Sequence, residues 1–331
     1  MSYTLYDPFE SFAFDSKHCF LTGEELGTEG GLWPVFPEWI MQRYKLHDQP
    51  LKMFDDVIKN YGALHVPVSK ITLERLRQMD EKVRDAFETD FTSFQELDQL
   101  TLFQWVGTWF YGVIFNEIQT AVRQYLISGE PLNFSQSLIH KFRNLNYMLQ
   151  SLVKPMEFEH FYPFRVVVRE VEGEDEFLYR DEVSTLIFSV KMKNIGLIAC
   201  LQDNDTNAIY HKEILEKTKN KKLHPIQFEE LAARFYYSAY LFSRLPDYTY
   251  LETPEAIYVE AMPLDDFSGK PMFDKWTVKT YAQVLESFWK PWGINMFEIR
   301  KDPEHPISFL FDEKGDFKES TVFEAALENR G

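Results

Sequence analysis

Three short stretches of this chain are candidates for acid–base or metal chemistry. The first is Glu157-Phe158-Glu159-His160. On an extended strand alternate side chains share a face, so Glu157 and Glu159 could hold a cation while His160 points away. A solvated segment between domains is the expectation there. His211 and Glu213, near an expected helix start, are less specific still. Asp203-Asn204-Asp205 opens like half of a calcium loop, but the glycine and the distant glutamate that complete such a loop are missing. An Asx-rich turn is expected instead. Cys19 and Cys200 are far apart in sequence, sit in no catalytic frame, and read as two reduced thiols. Lys217, Lys219, Lys221 and Lys222 form the one basic run, which suits a solvated helix end. Neither the glycine-rich phosphate loops nor the Gly-x-Ser-x-Gly turn occurs. No catalytic residue, metal ligand or cofactor is assigned from these patterns.

One longer frame is more informative. Cys19-Phe20-Leu21-Thr22-Gly23 is followed by Val35-Phe36-Pro37-Glu38-Trp39-Ile40, then by Val66-Pro67-Val68-Ser69-Lys70-Ile71-Thr72 and a helical pattern through Val83. It resembles a subgroup of HNH-type nucleases with a zinc-stapled ββα-metal core, whose pattern runs C-x-x-C-G, E-H-V-F-P-x-W-L, V-P-V-C-x-x-C-N. The resemblance covers residues 19–83. It implies four ligand positions at 19, 22, 69 and 72, which a zinc ion would need as thiolates. It also implies a general base before the Val-Phe-Pro step. Cys19 alone keeps a thiol. Thr22, Ser69 and Thr72 stand at the other ligand positions, Leu73 at the asparagine position, and Trp33-Pro34 where Glu-His is expected. The packing residues Gly23, Val35, Phe36, Pro37, Trp39 and Val66-Pro67-Val68 match; the reactive ones do not.

Those residues must be positioned by a chain of 331 residues carrying 30 Phe, 17 Tyr and 7 Trp, enough apolar surface for a large core. The net charge of −17 opposes a broad, non-specific grip on nucleic acid. No basic segment followed by an apolar run opens the sequence, so a cytoplasmic location is expected. Gln99–Asn116 has no charged residue, but Gln, Thr and Asn interrupt it and aromatics are spread through it; a buried helix is expected, not a membrane span.

The pattern predicts an α+β fold. A mainly helical domain (residues 1–155) holds the degenerate ββα-like segment, and an α+β domain (156–331) follows with helices on one face of a single mixed or antiparallel sheet. Helices are expected over 38–44, 51–61, 73–87 (capped by Thr72), 94–127, 135–153, 207–219, 225–245 and 277–289. Strands are expected at 165–171, 184–190, 195–201, 256–262, 295–300 and 307–312, with a hairpin turn after Phe311. The aromatic clusters between 235 and 292 mark either core or, where exposed, a partner surface. A non-catalytic, protein-binding role follows as the leading expectation. An active HNH-type nuclease, or an unrelated enzyme with its site in the C-terminal half, is the alternative.

Overall fold

The computed structural model describes residues 3–11, 13–53, 57–129, 134–158, 162–264, 269–302, 305–324 and 327. The chain divides into two compact units: Met1–Phe164 with Pro246–Met262, and Arg165–Leu245 with Pro263–Gly331. Helices and mixed or antiparallel sheets together make an α+β fold.

The first unit begins with the short helix α1 (Pro8–Ser11). Strand β1 (Gly31–Pro34) and helix α2 (Glu38–Arg43) follow, then the hairpin β2 (Pro50–Lys52) and β3 (Ile58–Asn60). Residues 51–52 and 58–60, expected within one helix, are thus paired strand, while 54–56 lie outside the described residues. Leu51 and Met53 are buried while Lys52 is exposed, the period-two pattern of a strand. Strand β4 (His65–Val68) pairs antiparallel with β1, from Gly31 opposite Val68 to Pro34 opposite His65, and leads straight into helix α3 (Lys70–Thr89). In outline this is two strands and a helix. Helix α3 starts three residues earlier than expected, because Ser69 and not Thr72 is its cap: Ser69 Oγ accepts the Thr72 N–H. Leu76, Met79, Val83 and Phe87 form its buried stripe.

Helix α4 (Phe91–Gln95) precedes α5 (Gln99–Ser128), whose residues from Leu102 to Ile118 are buried apart from Gln104. Asp98 caps α5; against the upward push of burial, hydrogen bonds from Thr101 and Lys82 hold its carboxyl down at about 2. Trp105 and Trp109 pack edge to face in protein, ring centroids 4.5 Å apart. Among the described residues no helix is long and apolar enough to cross a membrane. Helix α6 (Gln136–Leu149) and strand β5 (Met156–Phe158) complete this stretch.

The second unit is built on β6 (Arg165–Val171), β7 (Leu178–Glu182), β8 (Ile187–Met192) and β9 (Ile195–Cys200). The expected runs at 165–171, 184–190 and 195–201 fall on β6, β8 and β9. Strand β7 lacked a signal because it is a partly exposed edge carrying Arg180, Asp181 and Glu182. Helices α7 (Thr206–Tyr210) and α8 (Lys212–Thr218), strand β10 (Lys222–Leu223) and helix α9 (Pro225–Leu241) follow. The sheet order is β10-β6-β9-β8-β7, antiparallel except that β10 runs parallel to β6. Helix α9 packs on β6, β8 and β9.

The chain then contributes β11 (Tyr248–Glu252) and β12 (Ile257–Ala261) to the first unit, where they form a separate three-stranded sheet with β5. Residues beyond 156 therefore do not share one sheet, because β12 pairs with β5, Ile257 opposite Met156. Helix α10 (Val278–Trp289) returns to pack on α9, and α11 (Met296–Ile299) stands where a strand is expected. Asn295 and Glu298 close a capping box there, and its side-chain bonds to backbone N–H groups commit the segment to a helical turn. Residues 307–312 join no strand either. The Phe309 and Leu310 amides donate to the buried Glu230 carboxylate at 2.7 and 3.0 Å, leaving only an isolated bridge between Phe311 and Phe317 across the expected turn.

Candidate functional site

The segment of β1, β4 and α3, with the loop before β1, brings Cys19, Ser69 and Thr72 together. Residues 17–26 fold into a tight knuckle: Gly23 N–H donates to Cys19 O at 2.9 Å and Cys19 N–H to Glu24 O at 2.8 Å. Gly23 takes the left-handed conformation (φ +65°), and a Cβ there would lie 2.1 Å from the Tyr6 ring, so only glycine fits. Phe20 N–H donates to Pro67 O at 2.9 Å, which ties the knuckle to β4. Cys19 Sγ consequently lies 3.4 Å from Thr72 Oγ1, and Ser69 Oγ lies 3.2 Å from the same atom. Thr22 Oγ1 is buried in the knuckle without a hydrogen-bond partner.

The donor set brought together here is one thiol and two hydroxyls, and the fourth implied position, Thr22, offers only another hydroxyl. Zinc needs thiolate, imidazole or carboxylate ligands, and an aliphatic hydroxyl does not ionise to supply one. Ser69 and Thr72 are already engaged in starting α3. At the position of the implied base, Pro34 has no group to accept a proton; it is the last residue of β1, opposite His65. The surrounding frame is packed hard. Val35 lies against Gly112 of α5, where a Cβ would meet Val35 Cγ2 at 2.9 Å. Phe36 sits 4.7 Å from the Tyr61 ring and 5.6 Å from Trp109. Trp39 Nε1 and Trp105 Nε1 both donate to Asp80 Oδ1, at 3.1 and 3.2 Å. Burial pushes the Asp80 carboxyl up despite those two bonds.

The other candidates separate. Glu157 is exposed on β5, while Glu159 and His160 lie outside the described residues. His211 is buried, its Nε2 meeting Ser238 Oγ at 2.9 Å and Arg234 O at 3.1 Å, whereas Glu213 faces solvent and pairs with Lys217 at 2.8 Å. Burial pushes the His211 imidazole down to about 4, so it is neutral and structural. Asp203 accepts from Asn207 N–H and Nδ2, and Asp205 is held in a two-bond pair by Arg165. Asn204 and Asp205 are both left-handed (φ 53° and 62°), as an Asx-rich turn allows. Both cysteines are free and buried, and burial pushes the Cys200 thiol well up, away from the reactive thiolate. Three lysines of the four-residue basic run, Lys217, Lys221 and Lys222, are paired with Glu213, Glu319 and Glu170, which offsets most of its charge locally.

The aromatic-rich stretch is mostly core. Phe235, Tyr237 and Trp289 are almost fully buried, but Tyr240 is 72% exposed. Between α9 and α10, Tyr236, Tyr237, Tyr240, Gln283, Ser287 and Phe288 line an open cleft of about 470 Å³. Helical spacing explains the lining, since 236 and 240 on one helix and 283, 284, 287 and 288 on the other recur at steps of three or four. The Tyr236 hydroxyl donates to Arg180 O at 2.8 Å and that of Tyr237 meets Thr277 Oγ1 at 3.0 Å, so these rings offer faces and edges, not acid–base groups. Ser184, at the margin, donates to Glu182 Oε1 at 2.7 Å, and no imidazole lines the cleft to complete a relay. Sequence reasoning located the aromatic density but not the cleft, which exists only once α10 packs on α9. No family model matches the chain, and neither does any curated protein or solved structure.

Proposed function

We propose that this chain is a non-catalytic binding protein of the cytoplasm. In this reading the first unit retains the packing frame of an HNH-like module without its chemistry, and the second unit engages a protein partner through the α9–α10 cleft. The observation that carries the reading is the cleft itself: tyrosine and phenylalanine rings around an open space, with the inner hydroxyls already bonded and Tyr240 standing out at 72% exposure. Rigid aromatic side chains of this kind supply much of the energy at protein interfaces. The absence of a base at Pro34 and of three of the four thiolates supports the non-catalytic part. Two free thiols fit a reducing compartment.

The test is affinity capture from the native cytoplasm with wild type and with Tyr240→Ala, both checked for equal melting temperature. Wild type should recover one protein at stoichiometric level, and the variant should bind that purified protein at least about 30-fold more weakly, the equivalent of a 2 kcal/mol aromatic anchor. Equal binding by Tyr240→Ala, or cleavage of DNA or RNA by the wild-type protein in Mg²⁺, overturns the proposal.

A further inference from the structure

We infer that Glu172, His224 and Glu324 form a binding site for one zinc-class divalent cation, independent of the α9–α10 cleft. Among the described residues this is the grouping of His, Cys, Asp or Glu side chains that could hold a metal: one ligand atom from each lies within 4.8 Å of the others. The three come from distant parts of the sequence, and the fold fixes each. Glu172 follows β6, where its N–H donates to Leu223 O at 2.8 Å and so places it beside residue 224. His224 is the N-cap of α9, inside a capping box with Gln227. Phe323 packs edge-on to the His224 ring, centroids 5.5 Å apart, and brings Glu324 to the same place.

A second observation points to a cation. Glu172 Oε1 is shielded from solvent, with less than 1 Å² exposed, and meets no hydrogen-bond donor. Buried carboxylate oxygens ordinarily have a donor or a cation, because desolvation without one is costly. One imidazole nitrogen and two carboxylate oxygens, from three half-buried residues, make a three-ligand set of the kind that binds zinc with water completing the shell. Ligands about 2.1 Å from one ion lie about 3.4 Å apart in a tetrahedral shell, so the side chains need to close by roughly an ångström. Nitrogen favours zinc-class ions over Ca²⁺ or Mg²⁺, which prefer an all-oxygen shell.

The imidazole has a competing duty. His224 Nδ1 accepts the Ile226 N–H at 3.2 Å, which fixes the ring proton on Nε2. Coordination through Nδ1 displaces that bond. Coordination through Nε2 releases the Nε2 proton and needs a proton on Nδ1, which also ends the cap. Metal uptake therefore exchanges one cap bond for a metal–nitrogen bond, and the Ile226 amide reports it.

The experiment titrates the full chain with Zn²⁺ and with Co²⁺, following heat, melting temperature and the Ile226 amide resonance. One Zn²⁺ per chain should bind, raise the melting temperature and shift that resonance. Glu172→Gln and Glu324→Gln should each weaken binding at least tenfold. His224→Asn should do the same while keeping the fold, because asparagine is itself a good cap. Absence of uptake at 100 µM free Zn²⁺, unchanged affinity in the three variants, or equal preference for Ca²⁺ overturns the site. Each of these outcomes leaves the cleft reading intact.

Discussion

Restoring three thiols at Thr22, Ser69 and Thr72 beside Cys19 tests whether these four positions still enclose a point. Sulfurs held tetrahedrally at about 2.3 Å from one zinc lie about 3.8 Å apart. Two of the present separations, 3.4 Å from Cys19 Sγ and 3.2 Å from Ser69 Oγ to Thr72 Oγ1, are already close to that value. Thr22, whose buried Oγ1 has no hydrogen-bond partner, is the fourth position, and its convergence on the other three is what the variant tests. Replacing Ser69 removes the α3 cap, so the metal-free triple variant should lose about 1 kcal/mol. Free zinc at a hundredfold excess over its Kd should return about 2.7 kcal/mol, because it binds the folded state and not the unfolded one. At about 2 °C per kcal/mol for a protein of this size, the melting temperature should rise by about 5 °C. The assay is thermal unfolding in reducing buffer, made in the Glu172→Gln background so that the carboxylate–imidazole trio does not contribute. Co²⁺ should give a thiolate charge-transfer absorption. A folded triple variant with neither signal refutes the convergence of the four positions. Cleavage should stay absent even when zinc binds, since Pro34 accepts no proton.

Two further perturbations address the second unit. His211 titrates near 6.5 when unfolded and, held down by burial, at about 4 when folded, so the native state binds fewer protons between these values. Its contribution to stability therefore rises with pH across that window, by at most about 3 kcal/mol, and is lost in acid. His211→Gln should flatten the dependence of melting temperature on pH relative to wild type; parallel profiles would show that the imidazole is not the titrating group. Glu230 accepts from Arg234 at 2.8 Å, Ser308 Oγ at 2.7 Å and the amides of Phe309 and Leu310. Glu230→Ala strands a buried guanidinium and two amides and should cost about 3–5 kcal/mol in chemical denaturation, against a loss below 1 kcal/mol if the network were incidental.

Much of the first unit was legible because its signals are local. The uncharged run of α5, the stripe of α3 and the Val-Phe-Pro and Val-Pro-Val steps each announce packing within a few residues. The β-branched runs of β6, β8 and β9 were equally plain. Segments decided by distant partners were not. Residues 307–312 look like a strand, yet Glu230, 78 positions away from Ser308, takes their amides. The hairpin β2–β3 reads like a helix until the alternation of Leu51 and Met53 is weighed above propensity. Glu172, His224 and Glu324 share no short motif, and only the pairing of residue 172 with Leu223 and the Phe323–His224 contact bring them together. The cleft likewise depends on α10 finding α9, which no window of sequence records.

The pairing of β5 with β12 has a consequence for how the polypeptide is made. The first unit is discontinuous: its chain leaves after Phe164 and comes back only for Pro246–Met262. On the ribosome, at about 5–20 residues per second, the interval between these points lasts on the order of 5–20 s. Throughout it the short strand Met156–Phe158 lacks its partner β12, while the five described strands of the second unit are being synthesised. A waiting edge of this kind invites pairing with the wrong chain. Here it is three residues long, carries exposed Glu157 at its centre and follows Pro155, which has no N–H to offer. The nascent chain thus carries its own safeguard at the strand with the longest wait for its partner, and the first unit's three-stranded sheet closes only after the described β strands of the second unit have all been synthesised.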